Sequence, residues 1–181
     1  APKGALMAPT PLTLAETASI FGEGLVFERL LAGASKAERL GLLAGQIEDG
    51  INTVVRQIAF YTFERKVHTA RKEGELTPDK INEIWLEIQA ESLGDSIGIG
   101  PGYETFWAYI PHFIHSPFYV YAYAFGDCLV NSLYARYQES EAGFQEKYFT
   151  MLKAGGTQHH SELLKPFGLD ATDPEFWQKG L

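Results

Sequence analysis

Apolar positions in this chain recur mostly with the 3.6-residue period of helices, and few segments carry strand signals. The longest pattern runs Leu40, Leu43, Ile47, Ile51, Val54, Ile58 and Tyr61, stepping by three and four. Ser35 and Glu38 form a capping box ahead of it, no proline interrupts before Pro78, and Gly74 offers a stop. Unbroken, this helix would extend roughly 55 Å at ~1.5 Å per residue. Upstream, residues 1–11 are Pro-rich and predicted to be extended. Thr13 and Glu16 fit a second S/T-x-x-E box, opening a helix to about Ala32.

Downstream, Thr77 caps a helix with Pro78 at its first position. That helix carries Ile81, Ile84, Trp85 and Ile88 and ends near Gly94. Residues 94–102, GDSIGIGPG, form a Gly-rich loop. They lack a following G-K-S/T and a preceding strand, so they are not a phosphate loop. Further helical pieces are predicted over 103–110, 118–138, 143–154 and 161–166, with a last turn from Asp173-Pro174 to Gly180. The fold class is therefore all-α, a multi-helix, bundle-like assembly, with residues 1–181 read as a single helical unit.

Composition narrows the partners. The chain has 181 residues, 45% of them apolar, so a core is within reach and disorder is not expected. A net charge of -8 argues against nucleic acid as a partner, because no basic excess exists to displace phosphate counterions. The single cysteine, Cys128, has no internal disulfide partner, which suits a reducing, cytoplasmic setting. It lies in an apolar stretch without basic neighbours, as a buried structural thiol does. No signal peptide is visible at the N-terminus.

The segment Trp107–Gly126, WAYIPHFIHSPFYVYAYAFG, is the most unusual in chemistry. It holds eight Phe, Tyr and Trp rings, His112 and His115, and no Asp, Glu, Lys or Arg. It is long enough to cross a bilayer, but Pro111, Pro117, two histidines and several hydroxyls make a membrane span a poor reading. Each buried hydroxyl or imidazole requires a hydrogen-bond partner, unlike Leu or Val. So many polar-tipped rings suggest a wall facing a ligand or polar centre. The plainer reading is an aromatic core with satisfied hydroxyls.

Two carboxylates, Glu16 and Glu23, lie seven residues apart on the first helix among apolar residues. Such groups are costly to bury unless paired or coordinated. Glu16 can also be read as the fourth residue of the capping box, and Glu23 as a solvated surface charge. His159 and His160 are adjacent and do not share a helical face, so they are read as surface residues. His68 is read as a complement to the negative end of the long helix.

Taken as an ordered set, these blocks point to one family. LAETASIFGE resembles the helix that supplies the third zinc ligand in oligoendopeptidase F-type metallopeptidases, relatives of thimet oligopeptidase. IPHFIHSPFYVYAYAFG resembles their His/Tyr active-site segment, and KAGG, LLKPFGLD and FWQKGL resemble their C-terminal tail. The resemblance covers essentially the whole chain and implies the C-terminal part of a zincin-type oligopeptidase. It implies Glu16 as a Zn2+ ligand, Glu23 as a group orienting a zinc-bound imidazole, and short peptides as substrates. It further implies that His112, Tyr119 and Tyr121 are catalytic donors and that His115 and Tyr123 contact substrate. On a continuous helix His115, Tyr119 and Tyr123 would share one face and Tyr121 the opposite one. The family chemistry requires HExxH, and this sequence contains none. The expectation is that the motif lies upstream, and that this chain alone is inactive. The apolar stripes would then be covered by the missing N-terminal part or by a second copy of the chain. The alternative is a non-enzymatic helical module that binds a peptide or partner helix in an aromatic groove.

Overall fold

The computed structural model describes residues 4–5, 9–139 and 142–179, and among these all regular structure is helical. Part of the segment predicted to be extended, residues 1–3 and 6–8, lies outside the described residues. After a 3₁₀ turn at Leu12–Leu14 come α1 (Thr17–Gly33), α2 (Lys36–Gly50), α3 (Arg56–Arg71), α4 (Pro78–Leu93), α5 (His112–His115) and α6 (Tyr121–Glu139). They are followed by α7 (Phe144–Ala154), α8 (His160–Leu164) and α9 (Pro174–Lys179). The segment Tyr103–Tyr109 winds as a 3₁₀ helix.

Capping chemistry sets several of these boundaries. The Ser35 amide donates to Glu38 Oε2 at 2.8 Å while the Glu38 amide donates to Ser35 Oγ at 3.4 Å, a closed capping box. Thr77 Oγ1 accepts from the Lys80 amide at 3.3 Å, and Gly94 ends α4 with φ 61°. The Thr13 box does not open α1. That helix starts at Thr17, with Glu16 at the N-cap position and no side-chain cap bond. The 3₁₀ turn of Leu12–Leu14 occupies the residues where the box would have formed. The predicted long helix is present from Lys36 to Arg71, but Ile51–Val55 is wound as a π-helix between α2 and α3.

By packing, the chain divides into two compact units, Ala1–Glu48 with Phe125–Leu181, and Asp49–Ala124. In the first, α1, α6, α7 and α8 enclose a core containing Phe21, Leu129, Leu133, Tyr148 and Leu164. The Phe21 ring lies 4.6 Å from Tyr148 and 5.8 Å from Phe144, and the Tyr148 hydroxyl donates to the Thr17 carbonyl at 3.2 Å. Cys128 is buried in this unit, and its burial pushes the thiol pKa up to about 11, with the Asp127 charge adding to the shift.

The second unit is organised around Trp85, which is 0% exposed. Phe60 and Phe63 of α3 pack on it at 5.6 and 5.2 Å, and its indole N–H donates to the Tyr103 carbonyl at 2.9 Å. Trp107 is anchored in the same way, donating to Asn82 Oδ1 at 2.7 Å. The apolar stripe of α2 does not join a core among the described residues. Leu40 and Ile47 are 72% and 66% exposed, and Ile51, Val55 and Ile58 are exposed in the second unit. The periodicity identified the helix, but of its stripe only Val54 is buried and Tyr61 packs partly against the second core; Leu40, Leu43, Ile47, Ile51 and Ile58 stay exposed.

Candidate functional site

The aromatic segment runs from the end of the 3₁₀ helix through the single turn of α5 and, after a turn, into the start of α6. Pro111, with φ -65°, leads into the single turn of α5, closed by hydrogen bonds from His115 N to Pro111 O at 2.9 Å and Ser116 N to His112 O at 3.0 Å. The chain then reverses. Phe118 takes φ 60°, the one non-glycine residue with positive φ among the described residues. Tyr119 N donates to Ser116 O at 3.1 Å and Ala122 N to Tyr119 O at 2.8 Å, which leads into α6.

The turn decides which predicted residues meet. The His112 imidazole Nε2 is 3.1 Å from the Tyr123 hydroxyl. Its ring lies 6.0 Å from Tyr119, and Tyr119 lies 5.3 Å from Tyr123. Three polar-tipped rings therefore form one half-buried cluster. His115 does not lie on the α6 face with Tyr119 and Tyr123, because the turn separates α5 from α6; it is exposed. Tyr121 points to another neighbour and packs edge-on against Tyr61 at 5.8 Å. The alternation of tyrosine with small residues also has a packing cause. Val120, Ala122 and Ala124 are buried, so each intervening tyrosine is left at the rim of the unit.

Behind the turn stands a group that sequence reasoning missed. Glu64 of α3 is 2% exposed, and its Oε1 accepts from the Phe118 amide at 2.9 Å. Its other oxygen has no hydrogen-bond partner among the described residues. Burial raises its pKa, opposed by the bond from Phe118 and by the nearby His68 and His112. The signal was present in the sequence. Phe60, Phe63, Glu64 and Val67 occupy one helical stripe, and a carboxylate in such a stripe is out of place. His68 lies in the last turn of α3 and also packs on the Phe118 ring at 4.8 Å.

In the first unit, Glu16 is half-buried and Glu23 exposed. Ser19 Oγ donates to Glu16 Oε2 at 3.3 Å and to the Glu16 carbonyl at 3.0 Å. Helix α6 crosses α1 at this point with very little clearance. A Cβ at Gly126 would lie 2.9 Å from Glu16 Cβ and 3.5 Å from Ile20 Cδ1, so only glycine fits there without a shift. Next to Gly126, Asp127 has its pKa raised by burial and, secondarily, by the Glu23 charge. His159 caps α8, accepting from the Ser161 amide at 3.4 Å, whereas His160 is partly buried against Phe125 at 5.5 Å.

Among the described residues, no group of three His, Cys, Asp or Glu side chains is placed to hold a metal ion. A His₂Glu site built on Glu16 therefore needs two donors that these residues do not provide. No helix among them is long and apolar enough to cross a membrane.

Comparison with known proteins gives this geometry a context. Residues 4–181 match the sequence family described as Peptidase family M3. The chain is 34% identical over 164 residues to oligopeptidase PepF of Bacillus subtilis, covering 90% of this chain and 24% of that protein. It is 32% identical over 168 residues to the plasmid oligoendopeptidase F of Lactococcus lactis subsp. cremoris, covering 92% of this chain and 28% of that protein. It also superposes on the crystal structure of oligoendopeptidase-F from Enterococcus faecium, with a TM-score of 0.79 and 27% identity over 93% of this chain and 33% of that one. The chain thus spans about a quarter of the length of the curated relatives it matches.

Proposed function

We propose that this chain, which belongs to peptidase family M3, contributes part of the catalytic apparatus of a cytoplasmic, zinc-dependent oligoendopeptidase that hydrolyses short peptides. The observation that carries the proposal is the cluster of His112, Tyr119 and Tyr123 in a chain of this family. Peptide hydrolysis passes through a tetrahedral oxyanion, which requires hydrogen-bond donors already in position. Half-buried imidazole N–H and tyrosine O–H groups are donors of that kind. His112 and Tyr119 are assigned to the reacting carbonyl and oxyanion, with Tyr123 beside them; Tyr121, packed on Tyr61, and the exposed His115 stand outside this cluster and are assigned to more distant parts of the peptide. The 3.1 Å contact between His112 Nε2 and the Tyr123 hydroxyl restrains the imidazole through one ring nitrogen.

Glu16 is assigned as a carboxylate ligand for zinc, and Glu23 as a group orienting a zinc-bound imidazole. Zinc, when bound, supplies an acidified water and polarises the scissile carbonyl. The remaining donors and the base are assigned to an HExxH motif, which this sequence does not contain, and on this reading the chain by itself does not cleave peptides.

In the peptidase carrying this chain, His112→Phe should lower kcat for a fluorogenic peptide by about 10²–10³-fold, the cost of one oxyanion donor. Unchanged kcat would remove His112 from the reaction. The exposed stripe of Leu40, Leu43 and Ile47 favours a second reading, a non-enzymatic docking module. That reading requires peptide or helix binding by this chain with an affinity that a chelator leaves unchanged, as measured by calorimetry.

A further inference from the structure

We propose that Glu64 is a positioning residue: it holds the turn at Phe118 and thereby sets the Tyr119 ring against His112 and Tyr123. The Phe118 amide lies between α5 and α6, and the backbone hydrogen bonds on either side pass it by. His112 O accepts from Ser116, and Ser116 O accepts from Tyr119. Glu64 Oε1 supplies the acceptor from a different helix, at 2.9 Å. Phe118 needs that support because its φ of 60° lies in the left-handed region, which bulky residues adopt only when their surroundings impose it.

The same face of α3 grips the Phe118 side chain. Tyr61, Glu64 and His68 stand at i, i+3 and i+7, and the Tyr61 and His68 rings lie 6.3 and 4.8 Å from the Phe118 ring. One residue is thus held by its amide and its ring from one helical face. Tyr119 is its immediate neighbour, so any relaxation of Phe118 moves Tyr119 first. A core position filled by an apolar residue would avoid the cost of a buried carboxyl with one oxygen unpaired. What the carboxyl gives in return is the acceptor at Phe118.

The functional importance of this clamp rests on the proposed peptidase role, but its geometry can be tested without activity. Three forms of this chain, wild type, Glu64→Gln and Glu64→Leu, are labelled with ¹³C at tyrosine and ¹⁵N at histidine. Glu64→Gln keeps an oxygen acceptor for the Phe118 amide, so the His112 and Tyr123 ring resonances should stay at their wild-type positions. Glu64→Leu should shift them and speed hydrogen exchange of the Phe118 amide. If Glu64→Leu does not fold, Glu64→Asp, whose carboxylate falls one methylene short, should give the same shifts. In the peptidase, the displaced variants should lose on the order of 10²-fold in kcat, with KM changing far less, as a misplaced reacting group does. Wild-type resonances in both Glu64→Leu and Glu64→Asp would overturn the proposal, as would Glu64→Gln shifting them as far as Glu64→Leu. Shifted resonances in Glu64→Leu and Glu64→Asp, together with no peptide cleavage by a wild-type protein that carries this chain and an HExxH segment, would uphold the clamp and refute only the peptidase reading.

Discussion

Replacing Gly126 by alanine tests how α6 meets the helix of Glu16, and its expected sign is opposite to that of an ordinary helical glycine. A Cβ at this position would lie 2.9 Å from Glu16 Cβ. Relaxed carbon contacts sit at roughly 3.5–4.0 Å, so the helices must separate locally by about 0.6–1 Å. Glu16 Cβ is fixed by its own backbone at the start of α1, and no flexible side-chain end can absorb the change. Overpacking of this kind costs about 1–3 kcal/mol, against which the better helix propensity of alanine returns roughly 1 kcal/mol. The net effect should run from near neutral to about 2 kcal/mol destabilising. Gly22, also helical, has nothing within 4 Å of the equivalent Cβ. Gly22→Ala should therefore stabilise by about 0.5–1 kcal/mol. Urea unfolding of both variants against wild type measures the contrast, which should be about 0.5–3 kcal/mol. Equal stabilisation by the two alanines would refute the close approach at Glu16.

Two further predictions concern charge and surface. Glu64 binds its proton more tightly in the folded chain than at the ordinary value of 4.5, because burial disfavours the carboxylate. Its contribution to stability is complete below that value and is lost as pH rises through the raised folded pKa. As pH rises from the ordinary value of 4.5, unfolding free energy should therefore fall less in Glu64→Gln than in wild type; an identical pH profile would contradict a carboxyl whose proton affinity is raised by burial. Leu40 and Ile47 stand exposed on α2, so Leu40→Glu and Ile47→Glu should leave the melting temperature nearly unchanged. Sizing chromatography should show that the same changes weaken association with an N-terminal partner segment or a second copy, and a wild-type chain that elutes as a monomer with or without that segment would remove the proposed docking role.

The helical character of the chain was legible because its apolar residues step by three and four and because Ser35, Thr77 and Gly94 carry clear boundary chemistry. The Thr13 box was misleading for a physical reason: a capping motif competes with other local turns, and here a 3₁₀ turn holds those residues. The π-helical stretch at Ile51–Val55 leaves the apolar step pattern intact and so has no sequence signal of its own. In the aromatic segment, residue types announced polar chemistry but not geometry. Treating 115–123 as one helix grouped His115 with Tyr119 and Tyr123, whereas the turn at Phe118 brings His112 to them instead. That turn depends on Glu64, which is 54 residues away in sequence, a kind of contact that periodicity cannot reveal.

Zinc content tests the central claim most directly. The protein carrying this chain together with an HExxH segment should retain stoichiometric zinc through gel filtration, measured by atomic emission. Glu16→Gln in that protein should lose the metal and its peptide cleavage while keeping its helical circular dichroism. A Glu16→Gln variant that keeps both stoichiometric zinc and activity would contradict the assignment of this helix to the metal centre.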